Sequence, residues 1–156
     1  MKLLIEHACD HAATADITGP DTHGQRARKA AWLAGQDCPD CSSRSREREH
    51  QEANARAVAE SASHGWPDLV GTPRQAAWAA TIRSETVQEM RDRLAAQCTP
   101  EAAGRAHAMW TAAALRQTDA SWWIEHRSFA LRNVTALLTP AERDAVNTAV
   151  SEGKTL

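Results

Sequence analysis

Thr72-Pro73-Arg74-Gln75-Ala76-Ala77-Trp78-Ala79-Ala80-Thr81-Ile82-Arg83 carries the clearest secondary-structure signal in the chain. A threonine that can cap, a proline at the first helical position and a glutamine three residues after the threonine make a complete capping box, which satisfies amides that the first turn leaves unpaired. Behind it Trp78, Ile82, Met90 and Leu94, joined by Ala79 and Val87, recur at near-helical spacing. The pattern predicts an amphipathic helix reaching about Gln97.

Toward the C-terminus the same opening recurs. Thr99-Pro100-Glu101 starts a helix expected to reach about Gln117, and Thr139-Pro140-Ala141-Glu142, again a full capping box, starts one to about Val150. Between them Asp119 or Ser121 can cap a shorter helix through Trp122, Trp123, Ile124 and His126, with Phe129 and Leu131 continuing onward. The segments behind the Thr-Pro pairs share no further pattern, so these are helix starts and not a repeat. Residues 66–156 therefore read as a four-helix, Trp-containing domain.

Toward the N-terminus, Ser42 to Ser63 is dense in Arg, Glu, Gln and Ala, with only Ala53, Ala57 and Val58 as a thin stripe to bury. Residues 45–65 read as an exposed polar linker helix that packs against a partner, with partial disorder as the alternative. Residues 1–44 open with a short strand at Lys2–His7 and a second extended piece ending near Ile17. Thr18-Gly19-Pro20-Asp21 then breaks the chain. A helix follows over Gln25–Ala34, with Ala30, Leu33 and Ala34 on one face, Trp32 near its edge and Gly35 ending it. The fold class is mainly α, with short strands in the N-terminal module.

That module is lean in large apolar side chains, whereas residues 66–150 hold five of the six tryptophans. So lean a segment needs a staple. Two ligand pairs supply one: Cys9-x-His11, and Cys38-Pro39-Asp40-Cys41, 26 residues further on. Zn²⁺ takes four Cys or His ligands in a tetrahedron, commonly two from each of two tight turns. In a strand, alternate residues share a face, which would aim Cys9 and His11 the same way. His7 lies in register with them and His23 is a further substitute for His11. The competing reading makes Cys38 and Cys41 a redox pair or free thiols. A closed four-ligand site leaves no position for water, so this zinc would be structural. Cys98 stands apart and reads as a partly buried thiol.

The opening apolar run is interrupted by Glu6 and His7, too soon for a signal-peptide core, and no stretch approaches a membrane span. The expectation is a cytoplasmic protein with metal-ligating cysteines, not disulfides. Formal net charge is −2; residues 1–64 carry 8 basic and 10 acidic side chains, and the remainder 10 of each. Neither part has the basic surplus with which proteins grip nucleic acid by bulk electrostatics.

His7-x-Cys9-x-His11, Gly19-Pro20, the stretch around Arg26, Lys29 and Trp32, and Cys38-Pro39-Asp40-Cys41 together resemble the zinc-ribbon beginning of small bacterial proteins found on plasmids, phages and other mobile elements. The stretch from Leu69 through Arg83 resembles their second recurrent motif, and that from Ala120 through Arg127 a third. The resemblance covers about half the chain. It implies a zinc-ribbon module and the genetic setting of a mobile-element accessory factor, one version being a product that blocks a host defence complex. No catalytic residue carries over from it.

Trp78 and Trp110 lie on apolar stripes and read as core. Trp122 and Trp123 are both candidates for binding a partner; they face about 100° apart on a helix and cannot both point the same way, so one of them is expected at a surface. Arg74, Arg83, Arg127 and Arg132, with Gln75 and His126, are candidates to line a groove around those aromatics, a mix that would suit a phosphate or an acidic protein segment. Ordinary helical ion pairs, such as Arg83 with Glu85 or Glu89, are the plainer alternative. No phosphate loop, His-Glu-x-x-His or nucleophile elbow is present, so the chain reads as a non-enzymatic binding protein. A protein partner is favoured; the alternative is nucleic acid, held by Arg26, Arg28, Lys29, Arg44, Arg46 and Arg48.

Overall fold

A computed structural model describes residues 1–19 and 21–154, except for the side chain of Thr22. Pro20, half of the expected Gly-Pro break, lies outside the described residues. They divide into two compact units, Met1–Gln51 and Glu52–Leu156.

The first unit contains β1 (Lys2–Glu6), β2 (Ala12–Asp16) and α1 (Gln25–Ala34). The strands pair antiparallel, from Lys2 opposite Asp16 to Glu6 opposite Ala12. Alternation along β1 sends Ile5 inward and leaves Leu4 outside. The helix α1 packs on β1, yet none of its residues is fully buried, and Trp32 is exposed. Little apolar surface leaves water here, as the composition anticipates: Ile5, His7, Ile17 and Cys38 are the buried residues of this unit among those described.

The helix α2 (Pro39–Ser63) begins in the first unit and ends in the second. The expected linker helix is therefore helical from the cysteine pair onward. Its second half is not a free surface. Ala57 and Ser61 are buried, Thr81 donates from Oγ1 to Asn54 Oδ1 at 2.7 Å, and Ser84 donates to Glu60.

The second unit continues with α3 (Pro73–Ala95), α4 (Pro100–Arg116), α5 (Ala120–Glu125), α6 (Ala130–Ala136) and α7 (Pro140–Glu152). The capping boxes at Thr72/Gln75 and Thr139/Glu142 both form, and Asp119 caps α5 by accepting from the Ser121 amide. One helix was expected where two stand, because a 3₁₀ turn at Arg127–Phe129 divides α5 from α6. Phe129, with φ −139° and ψ 30°, lies outside helical geometry. Counting both, five helices follow Thr72 among the described residues, not four.

The core pairs two large rings with many small residues. Trp110 and Trp123 are essentially inaccessible among Ala79, Ala113, Ala114, Ala120, Ala130 and Val134. Alanines let helix backbones approach, and the tryptophans fill the space between. Each buried indole N–H has an acceptor: Trp110 donates to Thr135 Oγ1 and Trp123 to the Gln117 carbonyl, both at 3.0 Å. A second cluster joins Leu94, Cys98, Ala102, Ala106 and Ala149. Gly153 closes it, since a Cβ there would stand 2.1 Å from Ala102 Cβ.

Three sequence expectations are overturned here. Trp78 is 43% exposed and not core, because the buried stripe of α3 runs through Ala79, Ile82, Arg83, Thr86 and Val87, one residue round the helix. Trp123 is core and unavailable to a partner. Arg83, expected on a binding surface or paired with Glu85 or Glu89, is 1% exposed. Its Nη1 donates to the Pro67 carbonyl at 2.9 Å and its Nη2 to Ser61 Oγ at 3.3 Å, while the guanidinium lies 5.4 Å from the centre of the Trp66 ring. Burial lowers its pKa, and the nearby Asp68 charge offsets part of that. Its Nε has no hydrogen-bond partner among the described residues.

Arg83 thus joins the end of α2 and the loop after it to α3, and a lysine cannot reproduce the fork or the stacking. Arg83→Lys is expected to cost about 1–2 kcal/mol in urea unfolding. It should also raise amide exchange across residues 52–63; unchanged protection there would show that Arg83 does not fasten the helix. A second expectation concerns acid. Arg116 binds Glu142 through two bonds of 2.8 and 2.9 Å, and the Thr139 amide donates to the same carboxylate. With the Arg116 bond as the larger cause, Glu142 is held down at about 2, against an ordinary 4.5. A depressed carboxylate stabilises the fold above its unfolded pKa, and that contribution disappears as pH falls from about 4.5 toward 2. Glu142→Gln, which keeps the cap, should flatten the acid limb of a stability-against-pH curve.

Candidate metal centre

The first ligand pair lies in the turn between β1 and β2, not on a strand. The His7 amide donates to the His11 carbonyl and the Asp10 amide to that of His7, with Asp10 in the left-handed region at φ 60°. An aspartate tolerates that conformation better than most residues. The turn, and not strand alternation, aims Cys9 and His11 together. It is tied to the second pair by the Gln36 carbonyl, which meets the Ala8 amide at 3.0 Å and His7 Nδ1 at 3.1 Å. A carbonyl can only accept, so Nδ1 carries the proton.

Cys38 stands at the N-terminus of α2, with Pro39 as the first helical residue. The Cys41 amide points at Cys38 Sγ at 3.4 Å, as it would at the oxygen of an ordinary serine or aspartate cap. The Cys38 amide in turn points at Cys9 Sγ at 3.2 Å. The Cys38 amide aimed at the Cys9 sulfur favours thiolate over thiol there.

The ligand atoms of Cys9, His11, Cys38 and Cys41 all lie within 4.8 Å of one another. Among them, Cys41 Sγ lies 3.3 Å from His11 Nδ1. Around one Zn²⁺ with bonds of about 2.3 Å to sulfur and 2.0 Å to nitrogen, a tetrahedron has edges of about 3.5–3.8 Å. The observed spacing fits such a site with small adjustments. Three soft sulfurs and one imidazole are a donor set for a borderline-soft ion. Among the protein groups alone, the Cys38 amide draws Cys9 down to about 6, and the Cys38 side chain pushes Cys41 up to about 11. The described cysteines form no disulfide, and Cys98 is buried with its sulfur toward the Val150 carbonyl.

Neither substitute ligand joins the cluster. His7 is buried, and its ring is turned to Gln36. His23 sits in the turn before α1 with φ 56°.

No protein-family model matches the chain, and no curated protein or solved structure matches it.

The residues expected to bind phosphates are spread over α1 and the start of α2. Arg26 donates to the Gly19 carbonyl at 2.7 and 3.1 Å, Arg28 to that of His23, and Arg46 to Ser43 Oγ. Lys29 and Arg48 are exposed. Arg44 lines a cleft of about 220 Å³ with His11, Cys38 and Asp40. In the helical unit, Trp122 is half-buried, with His126 stacked on it at 4.5 Å, and Arg74 is exposed. Arg127 lies 5.7 Å from the centre of the Trp78 ring. His107 Nε2 meets the Val87 carbonyl at 3.1 Å.

Sequence reasoning missed one feature here. Trp78 and Phe129, the latter 68% exposed, line a cleft of about 440 Å³ floored by Ile82, Ala130 and Leu131. A lone phenylalanine between Ser128 and a helix start was the available signal.

Purified full-length chain should carry about one metal ion by elemental analysis, and Cys41→Ser should lower that occupancy strongly. Chelation should loosen residues 1–51 and leave the cooperative unfolding of the helical unit in place. Metal-free material with unchanged exchange over residues 1–51 would remove the metal centre.

Proposed function

We propose that this protein is a non-enzymatic binding protein in which one structural zinc ion, held by Cys9, His11, Cys38 and Cys41, orders the N-terminal unit, while the helical unit docks a protein partner. The donor set supports zinc, and four protein ligands leave no open position for substrate or water, which supports a structural role.

The observation that carries the docking reading is the Trp78–Phe129 cleft. Large apolar side chains left in water beside a cleft, here one of mixed polar and apolar lining, mark interaction sites. Arg93, Arg127 and Arg132 and the carboxylates of Glu85 and Glu89 surround it, a mixed rim suited to a protein and not to a polyanion. The resemblance to mobile-element proteins supports an accessory role on a host or element complex, inhibition of host defence being one form of it.

Nucleic-acid binding by the N-terminal unit is the second reading. Trp32 favours it: the side chain is 62% exposed on α1, one turn after Arg28 and Lys29, where a base could stack.

An affinity pull-down with the full chain decides between them. Docking predicts a nuclease-resistant complex that Phe129→Ser or Trp78→Ala abolishes and Lys29→Ala leaves intact. Affinity for an oligonucleotide that falls steeply between about 50 and 200 mM salt, together with a pull-down indifferent to Phe129, would replace it with the second reading.

A further inference from the structure

The aromatic cleft is one end of a longer trough. A second, more open cleft of about 710 Å³ shares Glu85, Glu89 and Arg93 with it. Together they follow one stripe of α3, through Trp78, Ile82, Glu85, Glu89 and Asp92, positions separated by 4, 3, 4 and 3 residues. That alternation keeps a seam on one side of a helix, as in coiled-coil contacts, over about 21 Å at 1.5 Å per residue.

The seam changes character along its length. At the first end stand Trp78 and Phe129, with Arg127 and Arg132 on the rim. Phe129 is fixed at the α6 start, its amide donating to the His126 carbonyl at 2.9 Å, so its ring is presented by an ordered backbone. At the other end Glu60, Glu85, Glu89 and Asp92 face one guanidinium, that of Arg93, already bound to Glu89 at 2.6 Å. Four carboxylates and one guanidinium line this second cleft; Glu85, Glu89 and Arg93 are common to both clefts, so Glu60 and Asp92 are the acidic groups confined to the end away from Arg127 and Arg132.

Resting on the protein-docking reading above, we propose that this trough receives a helical segment of a partner protein, with an aromatic or aliphatic anchor between Trp78 and Phe129 and Lys or Arg side chains along Glu85, Asp92 and Glu60. An apolar stripe laid into a groove supplies the affinity of such complexes, and complementary charge supplies register and selectivity. The carboxylate end repels phosphate backbones, which separates this occupant from nucleic acid. About 21 Å of seam matches about 14 helical residues of partner.

The test uses a displayed library of random peptides about 16 residues long, selected on immobilised full-length, metal-loaded chain and counter-selected on the Phe129→Ser chain. Enriched peptides should carry an apolar anchor with at least two Lys or Arg on one side of it. For a synthetic copy of the best, Glu85→Lys with Asp92→Lys should weaken binding at least about tenfold by fluorescence anisotropy, with helix content unchanged. Glu85→Gln, the milder variant, should weaken it less. The proposal is overturned if no Phe129-dependent peptide emerges, if the enriched peptides are acidic or uncharged, or if the charge-reversed chain binds them equally. A Phe129-dependent dimer in sedimentation would overturn it by making a second copy the occupant. A pull-down that still depends on Phe129 while the library selects acidic peptides removes this inference and leaves the docking reading standing.

Discussion

Four ligand atoms drawn within 4.8 Å of one another are the constraint on which residues 1–51 depend. The two strands bury one face only in part, and α1 contributes no fully buried side chain. So little hydrophobic area offsets little of the entropy lost on ordering the chain. The backbone prepares the convergence: Gln36 ties the first turn to the second, and the Cys38 and Cys41 amides point at sulfur. Such a preorganised cluster could hold a metal ion, and a bound ion would stabilise the fold around it.

The helical unit solves the same problem by packing. Its small residues bring helices close around two tryptophans whose polar N–H groups are both satisfied, so the rings are buried without leaving an indole donor unpaired. Arg83 is the exception that does structural work. It buries a charge with no carboxylate bound to it, and in exchange connects α2, the loop after it and α3.

This packing also decides what is left outside. Because α3 turns Ala79, Ile82 and Arg83 inward, Trp78 is displaced to the rim, and the 3₁₀ turn between α5 and α6 presents Phe129 beside the same floor. The balanced formal charge of the chain conceals a local grouping: Arg127 and Arg132 stand at the aromatic end, Glu60 and Asp92 at the other, and Glu85, Glu89 and Arg93 line both. Net charge counts side chains; recognition depends on where they stand.

The helix starts at Thr72, Thr99 and Thr139, the strand pair and the four Cys and His side chains that cluster were legible from residue order. Capping boxes and a two-residue cysteine gap operate between neighbours a turn apart, and ligand chemistry is written in residue type. The burial of Arg83 and Trp123, the exposure of Trp78 and the split between α5 and α6 were not. Trp78 and Ile82 are equally good members of an apolar stripe, and which becomes core depends on the angle at which other helices cover α3. An arginine reads as a surface residue until a hydroxyl, a carbonyl and an indole ring from separate segments are found around it. Those contacts link residues 16 and 22 positions apart, and only the assembled chain brings such groups together.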